Sequence, residues 1–281
     1  MSGPRVLVVQ NSASDPVGRL GDWFQDAGLV VDQVTGPDLP ANLDGVAGLV
    51  VLGGDMGAYD DDIAPWLPHE RALLREAVER EVPTLAICLG AQLLAVANGG
   101  RVETDPDGPE IGAQLVAKRT AASRDPLFAA VPITPDVHQW HYDAITVLPP
   151  GAILLASSPR GEHQAFRLGR LAWAVQFHIE TTPDTLLDWA RADAPRLADY
   201  DLDAIIDRIR SVDADFAEVW SAFAAAFADV VRNPDAITAP RAVPTTTAAP
   251  VTDPAAIRAA LAAEAAGART VLPPPGTRPP G

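Results

Sequence analysis

A single cysteine, Cys88, stands in a chain of 281 residues. No intrachain disulfide is possible, and any special role for that residue is the role of a thiol. Basic residues are also scarce: 21 Lys and Arg against 37 Asp and Glu leave a formal net charge of -16. Affinity for nucleic acid rests on cations that displace counterions from phosphates, so this balance speaks against a nucleic-acid partner, and against an anionic membrane surface for the same reason. No apolar run approaches the length needed to span a bilayer. Met1 to Pro4 lead straight into Arg5–Gln10 without the pattern of a signal peptide, and a cytoplasmic location is the expectation. Dinucleotide fingerprints, phosphate loops and zinc spacings are missing too, and His69, His138, His141 and His163 lack the spacing of metal ligands. No cofactor and no metal are therefore expected.

What the chain does have is a 48% hydrophobic composition, enough to bury a full core. Through about residue 190, short β-branched runs alternate with helical patterns, the sign of an α/β fold with a mostly parallel central sheet and helices on both faces. The strands expected are Arg5–Gln10, Val30–Val34, Gly48–Leu52 and Thr84–Ile87, with helices over Val17–Ala27 and His69–Arg80 crossing between them. After Gly99-Gly100 come shorter runs, Ile111–Lys118, Ala152–Ser157, Gln164–Leu168 and Leu171–Phe177, which read as added strands. Gly169-Arg170 is placed to turn a hairpin.

From Asp201 to Val231, apolar residues recur three or four positions apart at Ile205, Ile209, Val212, Phe216, Trp220, Phe223 and Phe227. One long helix with a single apolar stripe is expected, packed on the domain's own surface. Beyond Arg232 the composition turns to Pro, Ala and Thr, which cannot offset the entropy of ordering. The expected organisation is thus a domain over residues 1–195, a helical extension over 196–232 and a tail over 233–281, in which Pro254–Ala266 can form a short helix.

Chemistry gathers around Cys88. The strand Thr84–Ile87 runs directly into Cys88-Leu-Gly90, and Ala91–Ala97 is a strong helix former, so the sulfur belongs to a strand-to-helix corner. Such a corner lifts the sulfur above the sheet edge and aims the first free helix amides at whatever the sulfur attacks. A lone cysteine after an apolar run is by itself commonly a core residue. Three features change its meaning here. In Val175-Gln-Phe-His178-Ile-Glu180 an imidazole and a carboxylate lie two positions apart, on one side of a strand end, where the carboxylate can orient the ring. The loop Gly53-Gly54-Asp55-Met56-Gly57 follows another strand and emerges at the same carboxyl edge, where ligands bind in open α/β folds. Gln92 lies one helical turn beyond the cysteine and offers both donor and acceptor.

Gly53–Asp60, Pro65-Trp-Leu67, Cys88–Gln92, Pro109–Gly112, His138–Asp143 and Phe177–Glu180 together resemble the class I (triad) glutamine amidotransferase family, in the family's order, over about residues 5 to 190. Within it, the chain is similar to standalone members like the amidotransferase domain of GMP synthase, and the resemblance implies a flavodoxin-like fold. It also implies that Cys88 is the nucleophile, His178 the general base and acid, and Glu180 the residue orienting it. The implied oxyanion hole is the backbone amides of Gly54 and Leu89, and the implied substrate contacts are Gln92 and the segment Trp140, His141, Tyr142 and Asp143.

Three departures from the family pattern stand out: Asp55 where Pro is usual, Ile179 where Phe-His-Pro-Glu is usual, and Tyr142 where a small residue is common. The first two leave the functional groups in place, whereas Tyr142 reshapes the pocket. Glutamine or another γ-glutamyl compound is the implied substrate. Since nothing in the chain resembles a synthetase, an ammonia acceptor would sit on a separate subunit. Two other functions compete: a γ-glutamyl hydrolase or peptidase acting without a synthetase, and an inactive binding or regulatory protein on the same fold.

Overall fold

The computed structural model describes residues 3–238. The expected helix at Pro254–Ala266 and most of the expected tail lie outside the described residues. Twelve strands and five α-helices follow in the order β1 (Arg5–Gln10), α1 (Gly18–Asp26), β2 (Val30–Thr35), β3 (Gly48–Val51), α2 (Leu67–Glu79), β4 (Thr84–Ile87), α3 (Leu89–Ala97) and β5 (Arg101–Thr104). Then come β6 (Glu110–Leu115), β7 (Ala117–Lys118), β8 (Asp136–His141), β9 (Asp143–Val147), β10 (Ile153–Ser157), β11 (Ala165–Leu168), β12 (Ala172–Val175), α4 (Pro183–Asp193) and α5 (Leu202–Arg232).

Eight strands form the central sheet in the order β2-β1-β3-β4-β12-β11-β10-β7. The first five are parallel, and the last three continue antiparallel. The strands β3, β4 and β12 are buried along their whole length, as a sheet covered on both faces requires. Side chains alternate between the faces and split the core in two. Val6, Val8, Val50, Leu52, Leu85, Ile87, Trp173 and Val175 meet α1 and α5 on one side. Leu7, Val9, Leu49, Val51, Ala86, Ala172 and Ala174 meet α2 and α3 on the other. The helix α3 is buried nearly all round, as its sequence, apolar except for Gln92, demands.

The long helix sets its stripe against the sheet: Ile209, Phe216, Trp220, Phe223 and Phe227 are fully buried. Ile206 rather than Ile205 completes the row at its start. Residues 233–238 continue from it, and the Pro234 and Ile237 carbonyls accept from Arg170 while the Thr238 carbonyl accepts from Arg167.

One expected strand is two. Ile111–Lys118 divides between β6, which pairs with β8 in a separate ribbon, and β7, which pairs with β10 at the edge of the main sheet. An unbroken β propensity does not reveal where a strand changes partner. A second ribbon, β5 with β9, was not foreseen from the sequence, and neither was α4. No helix among the described residues is long and apolar enough to cross a membrane.

Candidate active site

Cys88 sits between β4 and α3 with φ 51° and ψ −108°, one of two non-glycine residues with positive φ among those described. Such a conformation costs about 1–3 kcal/mol and persists only where surroundings fix it. Here its N–H donates to the Val175 carbonyl at 2.9 Å and its carbonyl accepts from Gln92 N–H at 3.0 Å, locking it to β12 and to α3. The helix can start this close to the sheet because residue 90 is glycine: a Cβ there would lie 2.3 Å from the Val51 carbonyl oxygen.

His178 arrives from the next strand, but not as part of it. The strand β12 ends at Val175, and His178 is held by a single bridge in which its N–H donates to the His138 carbonyl at 2.8 Å. Strand alternation therefore does not align His178 with Glu180; the bend beyond β12 does. His178 Nδ1–H donates to Glu180 Oε1 at 2.6 Å, and Glu180 Oε2 accepts from Ile179 N–H at 2.8 Å, so both carboxylate oxygens are engaged. The start of α1 clamps the same residue: Arg19 N–H donates to the Glu180 carbonyl at 2.9 Å, and a Cβ at Gly18 would lie 2.3 Å from that oxygen.

With Nδ1 committed to Glu180, Nε2 is the free nitrogen, and among the described residues it has no partner of hydrogen-bonding geometry. Burial alone would push the imidazole toward its neutral form. The charges of Glu180 and of Cys88, with the hydrogen bond to Glu180, outweigh burial and hold His178 well above its ordinary pKa. Thiol and imidazole line one cavity of about 360 Å³. Gln176 Nε2 approaches the sulfur from another side at 3.9 Å.

The glycine loop after β3 reaches the same cavity, bringing Gly54 beside Leu89. A Cβ on Gly54 would meet Leu89 Cδ2 and Asn11 Cβ at 3.0 Å each, so the absence of a side chain permits that approach. Neither the Gly54 nor the Leu89 N–H donates to a protein acceptor among the described residues. Gln92, Trp140, His141, Tyr142 and Asp143 all line the cavity.

The roles of these five differ. The Gln92 amide nitrogen is already spent on the Asp143 carbonyl at 3.1 Å and Gln176 Oε1 at 3.4 Å. His141 is buried, with Nε2 3.2 Å from Glu110 and 3.0 Å from Gln139 Oε1, and so braces the wall. Trp140 Nε1 and the Tyr142 hydroxyl both donate to Asp193 Oδ2, at 2.9 and 3.2 Å, and Arg196 stacks 3.8 Å from the centre of the Tyr142 ring. Tyr142 thus closes one end of the pocket together with α4. His138 lies behind the site, stacked 3.8 Å from Phe216, its pKa lowered to about 3 by burial and by the His178 and Arg19 charges.

Sequence reasoning missed six cavity residues: Ser14, Asp15, Trp189, Ala192, Asp193 and Arg196. Asp15 lies in the loop after β1, at the carboxyl edge where a site was anticipated, so topology alone pointed to it. For α4, which carries Trp189 and Asp193, Thr182-Pro183-Asp184 is a start signal; the Thr182 hydroxyl accepts from Thr185 N–H at 3.1 Å.

Fold and site together define an open α/β protein whose parallel strands run β2-β1-β3-β4-β12, with a thiol, an imidazole and a carboxylate gathered at one carboxyl edge. The model of the class-I glutamine amidotransferase family matches residues 27–187, and the chain belongs to that family. The chain is 35% identical over 153 residues to the GMP synthase of Thermotoga maritima, a match covering 54% of this chain and 28% of that protein. The match thus spans under a third of that relative's length. A putative glutamine amidotransferase-like protein of Salmonella typhimurium is 29% identical over 201 residues, covering 69% of this chain and 83% of the relative. Among solved structures, a glutamine amidotransferase of Thermotoga maritima superposes with a TM-score of 0.73 at 28% identity, covering 82% of this chain and all of that one.

Proposed function

We propose that the protein hydrolyses the side-chain amide of glutamine through a Cys88 thioester and delivers ammonia to an acceptor bound by a separate subunit. The observation that carries this reading is the hydrogen bond from His178 Nδ1 to Glu180 Oε1, which leaves Nε2 available while His178 and Cys88 line one cavity. A charged imidazole beside the sulfur is the state in which the sulfur is a thiolate nucleophile.

In the proposed reaction the sulfur attacks the γ-carbonyl carbon, forming a C–S bond and moving the carbonyl electron pair onto oxygen. The N–H groups of Gly54 and Leu89 take that oxyanion; one such donor contributes a factor of about 10²–10³ in rate. His178 passes its Nε2 proton to the amide nitrogen, the C–N bond breaks and ammonia leaves. His178 then takes a proton from water, whose oxygen attacks the thioester carbon. The C–S bond breaks, the proton returns to the sulfur and glutamate departs. Glu180 fixes the tautomer and offsets the imidazolium charge throughout. The Gln92 side-chain oxygen, Trp140, Tyr142 and the Asp143 region hold the amino-acid end.

A second reading, a γ-glutamyl hydrolase that releases a larger amine, draws support from the cavity lining, where Asp15, Asp55, Asp60, Asp143 and Asp193 outnumber the cations His178 and Arg196. An ammonium on the leaving amine would suit such walls. Glutamate release from glutamine and from several γ-glutamyl amines, by wild type and Cys88→Ala, decides. Faster turnover of the amines selects the second reading, and equal turnover by the alanine variant rejects both.

A further inference from the structure

A second carboxyl group adjoins the imidazole of His178. Asp15, His178 and Glu180 each place a carboxylate oxygen or ring nitrogen within 4.8 Å of the others, and all three residues are buried. The contact depends on Gly53: a Cβ there would lie 2.1 Å from Asp15 Oδ2 and 3.0 Å from His178 Cε1, so any side chain at residue 53 would occupy the space where carboxyl and ring now meet. While Glu180 has both oxygens engaged, Asp15 Oδ1 has no hydrogen-bond partner among the described residues. An orphaned buried carboxyl is costly, and nothing in the hydrogen bonding of its own loop requires it.

Resting on the proposed reaction, we propose that Asp15 is a positioning residue for His178 whose ionisation adds to the charge of Glu180 in stabilising the imidazolium of the Cys88–His178 pair. A carboxylate beside the ring stabilises the imidazolium and so draws the thiol proton onto Nε2; a neutral carboxyl does not. Burial raises the Asp15 pKa to about 7, against the pull of His178, and Glu180 and Asp55 push it further in the same direction. The groups facing Asp15 are thus His178 and Glu180 from beyond β12 and Asp55 from the loop after β3. Asp55 is itself held by the hydroxyls of Ser12 and Ser14, and Arg19 of α1 is bound by Asp213. The transition falls near neutral pH and belongs to the coupled cluster rather than to one group.

Because Cys88 is the sole cysteine, the rate of iodoacetamide alkylation, followed by intact mass across pH 5 to 9, reads this pair without any substrate. Wild type is expected to show a rise near pH 7 that is missing in Asp15→Asn. The variant is expected to be slower by about tenfold at pH 8, one pKa unit on the imidazole, yet within about twofold of wild type at pH 5.5, where the carboxyl is neutral in both. Asp15→Ala serves as a second neutral variant should the first not fold. A rise near pH 7 that persists in the neutral variants, or an equal loss at every pH, overturns the proposal and leaves the proposed reaction standing. A wild-type profile with the single step of an ordinary thiol overturns both.

Discussion

Replacing Trp220 by alanine tests whether α5 is part of the domain's own core. The side chain is fully buried, its ring centre lies 5.2 Å from that of Phe177 and 5.4 Å from that of Phe223, and its Nε1 donates to the Asp136 carbonyl at 3.0 Å. A buried aromatic residue withdraws about 150–250 Å² from water, which at about 25 cal/mol per Å² corresponds to about 4–6 kcal/mol. Measured Trp-to-Ala changes fall at about 3–5 kcal/mol because the site partly relaxes. A loss of about 4 kcal/mol is therefore expected. With an m-value of about 2–3 kcal/mol/M, the urea midpoint should drop by about 1.5 M at constant m. Far-UV circular dichroism is the suitable probe, since removing a tryptophan alters fluorescence directly. Phe177 adjoins His178, so activity should fall with stability as the loop that carries the imidazole loses its backing. An unchanged midpoint accompanied by a lower molecular mass in light scattering would refute the reasoning and assign the stripe to a partner.

Glu180→Gln keeps the shape of the site but removes the charge that holds the His178 imidazolium; kcat should fall by about 10²–10⁴ with KM little changed, as read by steady-state glutamate release. Gly90→Ala drives a Cβ to 2.3 Å from a backbone oxygen of β3, so the thermal midpoint should drop by the equivalent of about 2–3 kcal/mol. Glu70 is buried, with Oε2 unpaired among the described residues and its pKa raised by burial to about 7, so the folded state holds a proton there that the unfolded chain releases. Its favourable contribution is present below pH 4.5 and is lost as pH rises toward 7. Glu70→Gln should therefore raise stability at pH 8 by about 1–3 kcal/mol and leave it little changed at pH 4, as measured by urea titration. His138 works in the opposite sense: its depressed pKa means that the unfolded chain takes up a proton first, and stability falls as pH drops from 6.5 toward 3.

Where local pattern and tertiary role coincide, the fold was legible in the residues. Arg5–Gln10 and Thr84–Ile87 each begin directly after a proline, and both have the limits expected of them. The row from Ile209 to Phe227 is buried as its spacing implied. Legibility failed where partners lie far away in the chain. Ile111–Lys118 splits because β8 and β10 compete for it, and β5 and β9 are short strands that only their mutual pairing defines. At the site, all five expected cavity-wall residues line the cavity, yet which hydrogen bonds consume Gln92 and His141 depends on Asp143, Gln176 and Glu110, which no local pattern connects. Asp15 escaped notice for the same reason: it is an ordinary loop aspartate until Gly53 brings it against His178.

The central claim is that Cys88 is a nucleophile activated by His178 and Glu180 in a glutamine-sized pocket. The most direct measurement is labelling by a glutamine-like diazo electrophile, followed by intact mass and peptide mapping. One label on Cys88, blocked by glutamine, absent in Cys88→Ala and slowed at least about a hundredfold in His178→Ala, is the expected result. Wild type left unlabelled, or labelled on another residue at the same rate in all three proteins, would contradict the account.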